Sequence, residues 1–210
     1  MGVMFAVNPE GFVRDWHPAP QRQFVITLAG EAEVVAGDGE TRRLRPGTVL
    51  LVEDTTGRGH VTRGVGAGEW RSLWVPLAGL AGRPARAGGP PPAAATYQRI
   101  YAGPDDESHF EEVAVELMPV AGAAARSALI PATGLVFRRT PPGHHLDWHT
   151  APRQQFVITL AGEVEIVASD GVVRRFGPGA IVLADDTTGR GHVSRAVGAG
   201  ERLSVFVPLA

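Results

Sequence analysis

The chain has 210 residues, of which 44% are hydrophobic and 20% are charged, and its formal net charge is -2. This composition is typical of a folded protein with a buried core rather than of a disordered one. The charges are nearly balanced and form no long run of one sign, which disfavours a nucleic-acid partner and an anionic membrane surface.

Two residue types are absent, and their absence excludes several kinds of chemistry. The chain contains no cysteine, so disulfides, thiol nucleophiles and thiolate metal ligands are excluded. All 20 basic residues are arginine, so no lysine Schiff base can form. No apolar run approaches the roughly 18 residues of a spanning helix, and the N-terminus lacks the pattern of a signal peptide. We therefore expect a cytoplasmic protein.

One stretch occurs twice in the chain. Residues 15–31 read DWHPAPQRQFVITLAGE, and residues 147–163 read DWHTAPRQQFVITLAGE. The match continues without a gap to Ala78 in the first copy and Ala210 in the second, and most of the aligned residues are identical. A repeat of this kind predicts one structural unit that has been duplicated.

Within the first copy, short apolar runs alternate with turn signals at intervals of about 8–12 residues, as in an all-β sandwich or barrel. No amphipathic helix pattern interrupts them. Turn residues such as Gly37-Asp38-Gly39 and Pro46-Gly47 separate the runs. The predicted strands cover residues 23–28, 31–35, 41–44, 48–52, 60–63 and 71–75.

Between the copies lie a linker and a segment without a counterpart. Residues 79–95 consist mainly of Pro, Gly and Ala and predict a semi-rigid linker. Residues 96–133 are absent from the first copy and contain a strand pattern around Phe110. We therefore predict a truncated N-terminal unit (1–78), a linker (79–95) and a C-terminal unit with an N-terminal strand extension (96–210). Since open sheet edges are usually covered, we expect residues 96–133 or a second subunit to close the first barrel.

The repeated motifs resemble those of the cupin superfamily, whose members are double-stranded β-helix barrels of the jelly-roll type. The cupin pattern has a Gly, a His-x-His pair, a Glu and a second Gly, followed later by Pro-Gly, a strand and a His. The second copy matches this pattern with Gly143, His149, Gln155, Gly162, Pro178-Gly179 and His192, and the first with Gly11, His17, Gln23, Gly30, Pro46-Gly47 and His60. The resemblance covers nearly the whole chain apart from the linker. It implies two cupin barrels in tandem, and a homodimer formed through strand edges.

The resemblance also implies a divalent transition metal (Fe, Mn, Zn, Ni or Cu) in each barrel. Its ligands would be His149, Gln155 and His192 in the second barrel, and His17, Gln23 and His60 in the first. The chain departs from the family pattern because Gln replaces Glu and the His-x-His pair is incomplete. The alternative is a metal-free pocket in which the same residues are hydrogen-bonded polar groups.

Two further residues of the second copy are candidate catalytic groups. In a regular strand Asp147 and His145 share a face with His149, so both would point into the barrel. Asp147 could then complete a two-histidine, one-carboxylate metal set. His145 could act as a fourth ligand or as a general base that titrates near neutral pH, or it is an exposed loop residue after Pro-Pro-Gly.

These patterns predict a small-molecule protein and leave its chemistry open. The first hypothesis is a metal-dependent enzyme: an oxygenase, or a lyase, isomerase or cyclase that uses the metal as a Lewis acid. The alternatives are a metal-free isomerase or cyclase with a histidine as acid and base, and a non-catalytic binding protein. The aspartates of the two Asp-Thr-Thr-Gly-Arg-Gly loops, Asp54 and Asp186, are interpreted as hydrogen-bonded turn residues.

Overall fold

The computed structural model describes residues 1–77, 95–120 and 124–210. Within these ranges all regular elements are β-strands, which confirms the predicted all-β class. No helix in the same ranges is long and apolar enough to cross a membrane.

The first copy forms eight strands. They are β1 (Gly2–Asn8), β2 (Val13–His17), β3 (Gln23–Ala29), β4 (Glu31–Val35), β5 (Thr41–Leu44), β6 (Val49–Val52), β7 (His60–Val65) and β8 (Trp70–Pro76). Strands β3 to β8 coincide within two residues with the predicted strands. The alternation of apolar runs and turn residues therefore determines this part of the fold.

The remaining strands belong to the unrepeated segment and to the second copy. The segment contains β9 (Ala95–Ala102), β10 (Ser108–Val115), β11 (Met118–Pro119), β12 (Ala125–Arg126) and β13 (Ile130–Pro131). The second copy contains β14 (Val136–Thr140), β15 (His145–His149), β16 (Gln155–Ala161), β17 (Glu163–Ala168), β18 (Val173–Phe176), β19 (Ile181–Asp185), β20 (His192–Val197) and β21 (Arg202–Pro208).

Each copy arranges its eight strands in two antiparallel sheets. In the first copy the order is β1-β8-β3-β6 in one sheet and β2-β7-β4-β5 in the other. In the second copy the corresponding orders are β14-β21-β16-β19 and β15-β20-β17-β18. The repeat in the sequence is thus a repeat of the complete jelly-roll strand order.

The core of each copy lies between its two sheets. In the first copy, Val25 and Trp74 from one sheet pack in a single buried cluster with Ala32 and Leu44 from the other. In the second copy, Val182 of β19 packs in the same way with residues of β17 and β18. Burial of these apolar side chains, at about 25 cal/mol per Å² removed from water, is the main force that holds each pair of sheets together.

The unrepeated segment is divided between two compact units. One unit comprises residues 1–95 and 115–131, and the other comprises residues 96–114 and 132–210. Our expectation that the whole segment extends the second unit therefore needs correction. The predicted linker lies outside the described residues except for Ala95, and that boundary stays a prediction.

The two parts of the segment add strands to different sheet edges. Strands β12 and β13 pair antiparallel with β1, and β11 pairs with β12. Strand β9 pairs in parallel with β19, and β10 continues that sheet. The hypothesis that this segment covers the edge of the first copy is confirmed for β11 to β13. Paired edges leave fewer free backbone groups to recruit another chain.

His109 on β10 links two loops of the second unit. Its Nδ1 lies 2.9 Å from Oδ2 of Asp170, and its Nε2 lies 3.0 Å from Oδ1 of Asp105. Both ring nitrogens must donate to satisfy two carboxylates, which only the protonated imidazole can do. The bond to Asp105, assisted by Asp170, accordingly raises the pKa of His109 above its ordinary value, against the opposing effect of desolvation.

This arrangement predicts a pH-dependent contribution to stability. Because the pKa of His109 is raised in the folded state, the stabilisation is complete below the unfolded-state pKa of about 6.5 and is lost as pH rises through the folded-state pKa. We expect His109→Gln to lower the free energy of unfolding by up to about 1 kcal/mol at pH 5.5 and much less at pH 9. Urea unfolding at both pH values measures this difference. His145→Gln, at an exposed histidine, is the control, and an equal loss at both pH values would contradict the charged-clamp interpretation.

Candidate functional site

Each unit has a cavity between its own sheets, with a volume of about 510 Å³ in the first and about 500 Å³ in the second. Volumes of this size suit small-molecule ligands. The walls of the first cavity include His17, Gln23 and His60, and those of the second include His149, Gln155 and His192. The structure therefore brings the six predicted ligands together in two sets of three.

The two histidines of each set lie opposite each other on neighbouring antiparallel strands. His149 on β15 faces His192 on β20, and their ring centroids are 4.3 Å apart with an interplanar angle of 54°. His17 on β2 and His60 on β7 repeat the arrangement at 4.4 Å and 56°. Duplication has thus preserved the geometry as well as the residue types.

An aspartate carboxylate orients one histidine of each pair. Nδ1 of His192 donates to Oδ2 of Asp186 across 2.6 Å, and Asp186 is fully buried. His60 and Asp54 make the same hydrogen bond at 2.6 Å in the first copy. Since Nδ1 carries the proton in this bond, Nε2 of the neutral ring keeps a free lone pair.

A backbone carbonyl orients the other histidine. Nδ1 of His149 donates to the carbonyl oxygen of Asp147 across 2.8 Å, and Nδ1 of His17 donates to that of Asp15 across 2.7 Å. Burial is the largest cause that lowers the pKa of His149 and of His17 below the ordinary value. These imidazoles are therefore neutral near pH 7, with Nε2 available as a base or as a ligand.

The glutamines complete the sets without adding charge. Gln23 and Gln155 begin equivalent strands, β3 and β16, and are only 4% and 8% exposed. A buried amide offers one acceptor oxygen and two donor hydrogens. Each set thus contains two imidazoles and an amide where the family pattern would place a carboxylate among them.

These residues fit a metal ion held by neutral donors. Metal-ligating histidines commonly donate their second ring nitrogen to a carboxylate or a backbone carbonyl, as all four histidines do here. Among the described residues, however, no group of three or more His, Cys, Asp or Glu side chains could hold an ion. A bound metal would therefore depend on the glutamine as its third protein ligand.

The structure places His145 and Asp147 differently from the sequence prediction. Both side chains are exposed, and neither lines the cavity. The alternation of the strand is broken by a β-bulge between Leu146 and His149, so the residues that face the cavity are His144 and Leu146. The prediction that residues 145, 147 and 149 share one inward face is wrong for this reason.

Sequence reasoning did not single out Asp54, Asp186 or His144 for the site. The aspartates were interpreted as turn residues, yet each accepts a hydrogen bond from the histidine six positions later. The available signal was the spacing Asp-Thr-Thr-Gly-Arg-Gly-His, which places a carboxylate and a histidine at the two ends of one tight loop.

That loop is fixed against the neighbouring strand by Gly191. Its φ is +73°, and a Cβ atom at this position would lie 2.1 Å from the carbonyl oxygen of His149. The hydroxyl of Ser108 donates to the carbonyl oxygen of Gly191 at 2.8 Å. The guanidinium of Arg190 lies 4.4 Å from the ring centroid of Trp148. The loop thus holds His192 in register with His149.

Arginines give both cavities a positive character. Arg14 and Arg126 line the first, and Arg138 and Arg202 line the second. Burial lowers the pKa of Arg126 to about 10, which still leaves the group charged at neutral pH, and lowers that of Arg202. The four arginines are not at equivalent positions of the repeat.

A comparison with known proteins establishes the family of the first copy. Residues 3–76 match the family Cupin_2, described as the cupin domain. The first copy is therefore a cupin domain. The second copy has the same strand order, which supports the tandem arrangement. No curated protein matches the sequence.

Several solved structures are similar to the whole chain at low sequence identity. A Cupin 2 conserved barrel domain protein from Leptotrichia buccalis has 11% identity and a TM-score of 0.44, with coverage of 100% of this chain and 84% of the other. A putative glyoxylate-induced protein from Pseudomonas aeruginosa has 9% identity and a TM-score of 0.45, with 100% and 75% coverage. An oxalate decarboxylase variant from Bacillus subtilis has 13% identity and a TM-score of 0.38, with 99% and 69% coverage. No functional conclusion follows from similarities at this level.

The close approach at Gly191 predicts a large effect of adding one methyl group there. Gly198 has a similar φ of +81°, but a Cβ atom at Gly198 would meet nothing within 4 Å. Gly198→Ala therefore carries only the left-handed backbone cost of about 1–2 kcal/mol. We expect Gly191→Ala to lower the free energy of unfolding by at least about 2 kcal/mol more, because the backbone at His149 must move. Denaturant unfolding of both variants measures the difference, and equal losses would show that the loop is not fixed by this contact.

Proposed function

We propose that this cupin is an enzyme that acts on a small organic molecule and binds a divalent transition metal inside its barrels. The metal would be held by His149, Gln155 and His192 in the second barrel and by His17, Gln23 and His60 in the first. Such an ion would supply Lewis acidity, or a redox centre if it is iron, manganese or copper.

The observation that carries this proposal is the orientation of the four imidazoles. Each donates its Nδ1 proton to a fixed acceptor, an aspartate carboxylate or a backbone carbonyl, across 2.6–2.8 Å. In a neutral ring this arrangement fixes the tautomer and leaves Nε2 as the unprotonated atom. Orienting acceptors of this kind are the usual support of histidine ligands.

The remaining lining supports binding of an organic molecule beside this polar centre. In the second cavity the walls are mainly apolar and include Val157, Ile166 and Phe176. Such walls exclude water from the ligand and strengthen its interactions with the few polar groups present. Gln155 can orient a ligand through its amide hydrogens when its oxygen is engaged elsewhere.

The buried pair of Asp186 and His192 also favours a second candidate function. A histidine held by a carboxylate, with its other nitrogen free, can accept and return a proton without any metal. In that case the protein is a metal-free isomerase or cyclase, with His192 as the base, or a binding protein if no reaction follows. Metal content separates these alternatives from the first.

Metal analysis of the full-length protein, purified without a histidine tag, is the direct test. We expect about two equivalents of metal per chain by plasma mass spectrometry, one for each neutral His–Gln–His set. His149→Ala and His17→Ala should each remove one equivalent because each removes a ligand. His145→Ala is the matched control and should remove none. If no variant and no wild-type sample retains metal after incubation with Fe, Mn, Zn, Ni or Cu, the metal-dependent function is wrong.

The role of the buried carboxylate gives a second prediction. Asp186→Asn removes the charge that orients His192 and should weaken metal binding in the second barrel about 10- to 100-fold. Asp185→Asn is the control because Asp185 pairs with Arg99 and Gln154 and does not line the cavity. Competition with a chromophoric chelator measures both affinities. Equal affinities in the two variants would contradict a supporting role for Asp186.

A further inference from the structure

The second cavity contains buried polar atoms that the barrel itself does not satisfy. Among the described residues, Oγ1 of Thr140, Nε2 of His144 and Nε of Arg202 are inaccessible to solvent and have no hydrogen-bond partner. All three residues line this cavity. Buried polar atoms are normally paired, so three unpaired atoms in the wall of one cavity are unusual.

Arg202 is the most informative of the three. It lies on β21 opposite Thr140 of β14 and is only 9% exposed. No carboxylate contributes to its electrostatic environment: burial and the like charge of Arg138 both lower its pKa. A guanidinium is effectively always charged, and an unpaired buried charge is strongly destabilising. A residue of this kind is retained at a cost in stability, as binding groups often are.

The charge of the lining defines what could pair with Arg202. Arg138 and Arg202 both line the cavity, and no Asp or Glu does among the described residues. Asp186 is buried, but its Oδ2 accepts the hydrogen bond from His192, and the residue does not line the cavity. The cavity therefore carries positive charge without a counter-charge of its own.

The first copy shows that the fold does not require an arginine here. Trp70 occupies the position equivalent to Arg202, and its Nε1 donates to Oγ1 of Thr27 at 3.2 Å. Phe12 occupies the position equivalent to His144. The same backbone thus accommodates a hydrogen-bonded tryptophan at this position in one barrel and an unpaired arginine in the other.

We propose that the second cavity binds an organic carboxylate whose carboxylate group pairs with the guanidinium of Arg202. A planar guanidinium matches a carboxylate in two parallel hydrogen bonds. The apolar walls, which include Leu146 and Phe206, select a ligand with an organic body rather than a bare inorganic anion. This assignment names the class of substrate that the second barrel would take. It rests on the proposed function only for the statement that a reaction follows binding.

Calorimetric titration of the full-length protein with benzoate and hexanoate tests the assignment. Benzamide serves as the neutral counterpart of benzoate, and inorganic phosphate serves as the anion without an organic body. We expect a carboxylate to bind more tightly than both benzamide and phosphate. Arg202→Met should weaken that binding about 30-fold or more, because it removes one partner of a buried charge pair.

Two variants control for other effects of losing an arginine. Arg175→Met removes an equal charge from an exposed residue that pairs with Glu165, and it should leave binding unchanged. Arg126→Met removes the buried guanidinium of the first cavity and should leave the Arg202-dependent binding intact. Binding that is lost in Arg126→Met but retained in Arg202→Met would overturn the assignment to the second cavity.

Thermal unfolding provides an independent readout. We expect Arg202→Met to unfold at the same temperature as the wild type or higher, because the substitution removes an unpaired buried charge. Carboxylate should raise the unfolding temperature of the wild type but not of Arg202→Met. A lower unfolding temperature for Arg202→Met, or no Arg202-dependent binding of either carboxylate at millimolar concentration, would overturn the proposal.

The outcome is separable from that of the proposed function. Metal content is measured on the same samples, and His192→Ala removes a proposed metal ligand while leaving Arg202 in place. Carboxylate binding that depends on Arg202 and persists in His192→Ala supports the assignment even if the protein binds no metal. Metal uptake that persists in Arg202→Met supports the proposed function even if no carboxylate binds.

Discussion

The hydrogen bond between an aspartate and a histidine is the interaction on which each site depends. Asp186 and His192 lie at the two ends of one loop, and the contact of Gly191 with the carbonyl oxygen of His149 fixes that loop to the opposite strand. One short segment therefore sets the tautomer of one imidazole and its distance from the other. The barrel provides the cavity, but this loop determines which nitrogen atoms the cavity presents.

The strands were predictable from the sequence, and the finer geometry of the site was not. Apolar runs and turn residues located β3 to β8, and the repeated motifs located the histidines and glutamines. Strand alternation then failed at the bulge between Leu146 and His149, because a single extra residue reverses the inward and outward faces. His145 was chosen for that reason in place of His144. Asp186 was missed because a turn residue and a histidine-orienting carboxylate have the same local sequence.

Duplication has kept the frame and changed the lining. Both copies retain the paired imidazoles at 4.3–4.4 Å, which depend on backbone register and on the loop glycines. Other residues that line the cavities differ between the copies, as shown by Trp70 in the first copy and Arg202 at the equivalent position of the second. A side chain that points into a cavity has few packing neighbours to constrain it, so the lining can diverge while the sheets stay the same.

The division of the unrepeated segment has a consequence for synthesis. Strands β9 and β10, which belong to the second unit, precede in the chain the strands β12 and β13, which pair with β1 of the first. The sheet of the first unit therefore stays incomplete until residue 131 has emerged from the ribosome, and by then β9 and β10 have already emerged without their partner strand β19. In that interval the edge of β1 and the strands β9 and β10 are all unpaired, a situation in which strands can pair wrongly. The added edge strands differ in direction between the two units: β12 is antiparallel to β1, and β9 is parallel to β19. This difference distinguishes the correct pairings from incorrect ones.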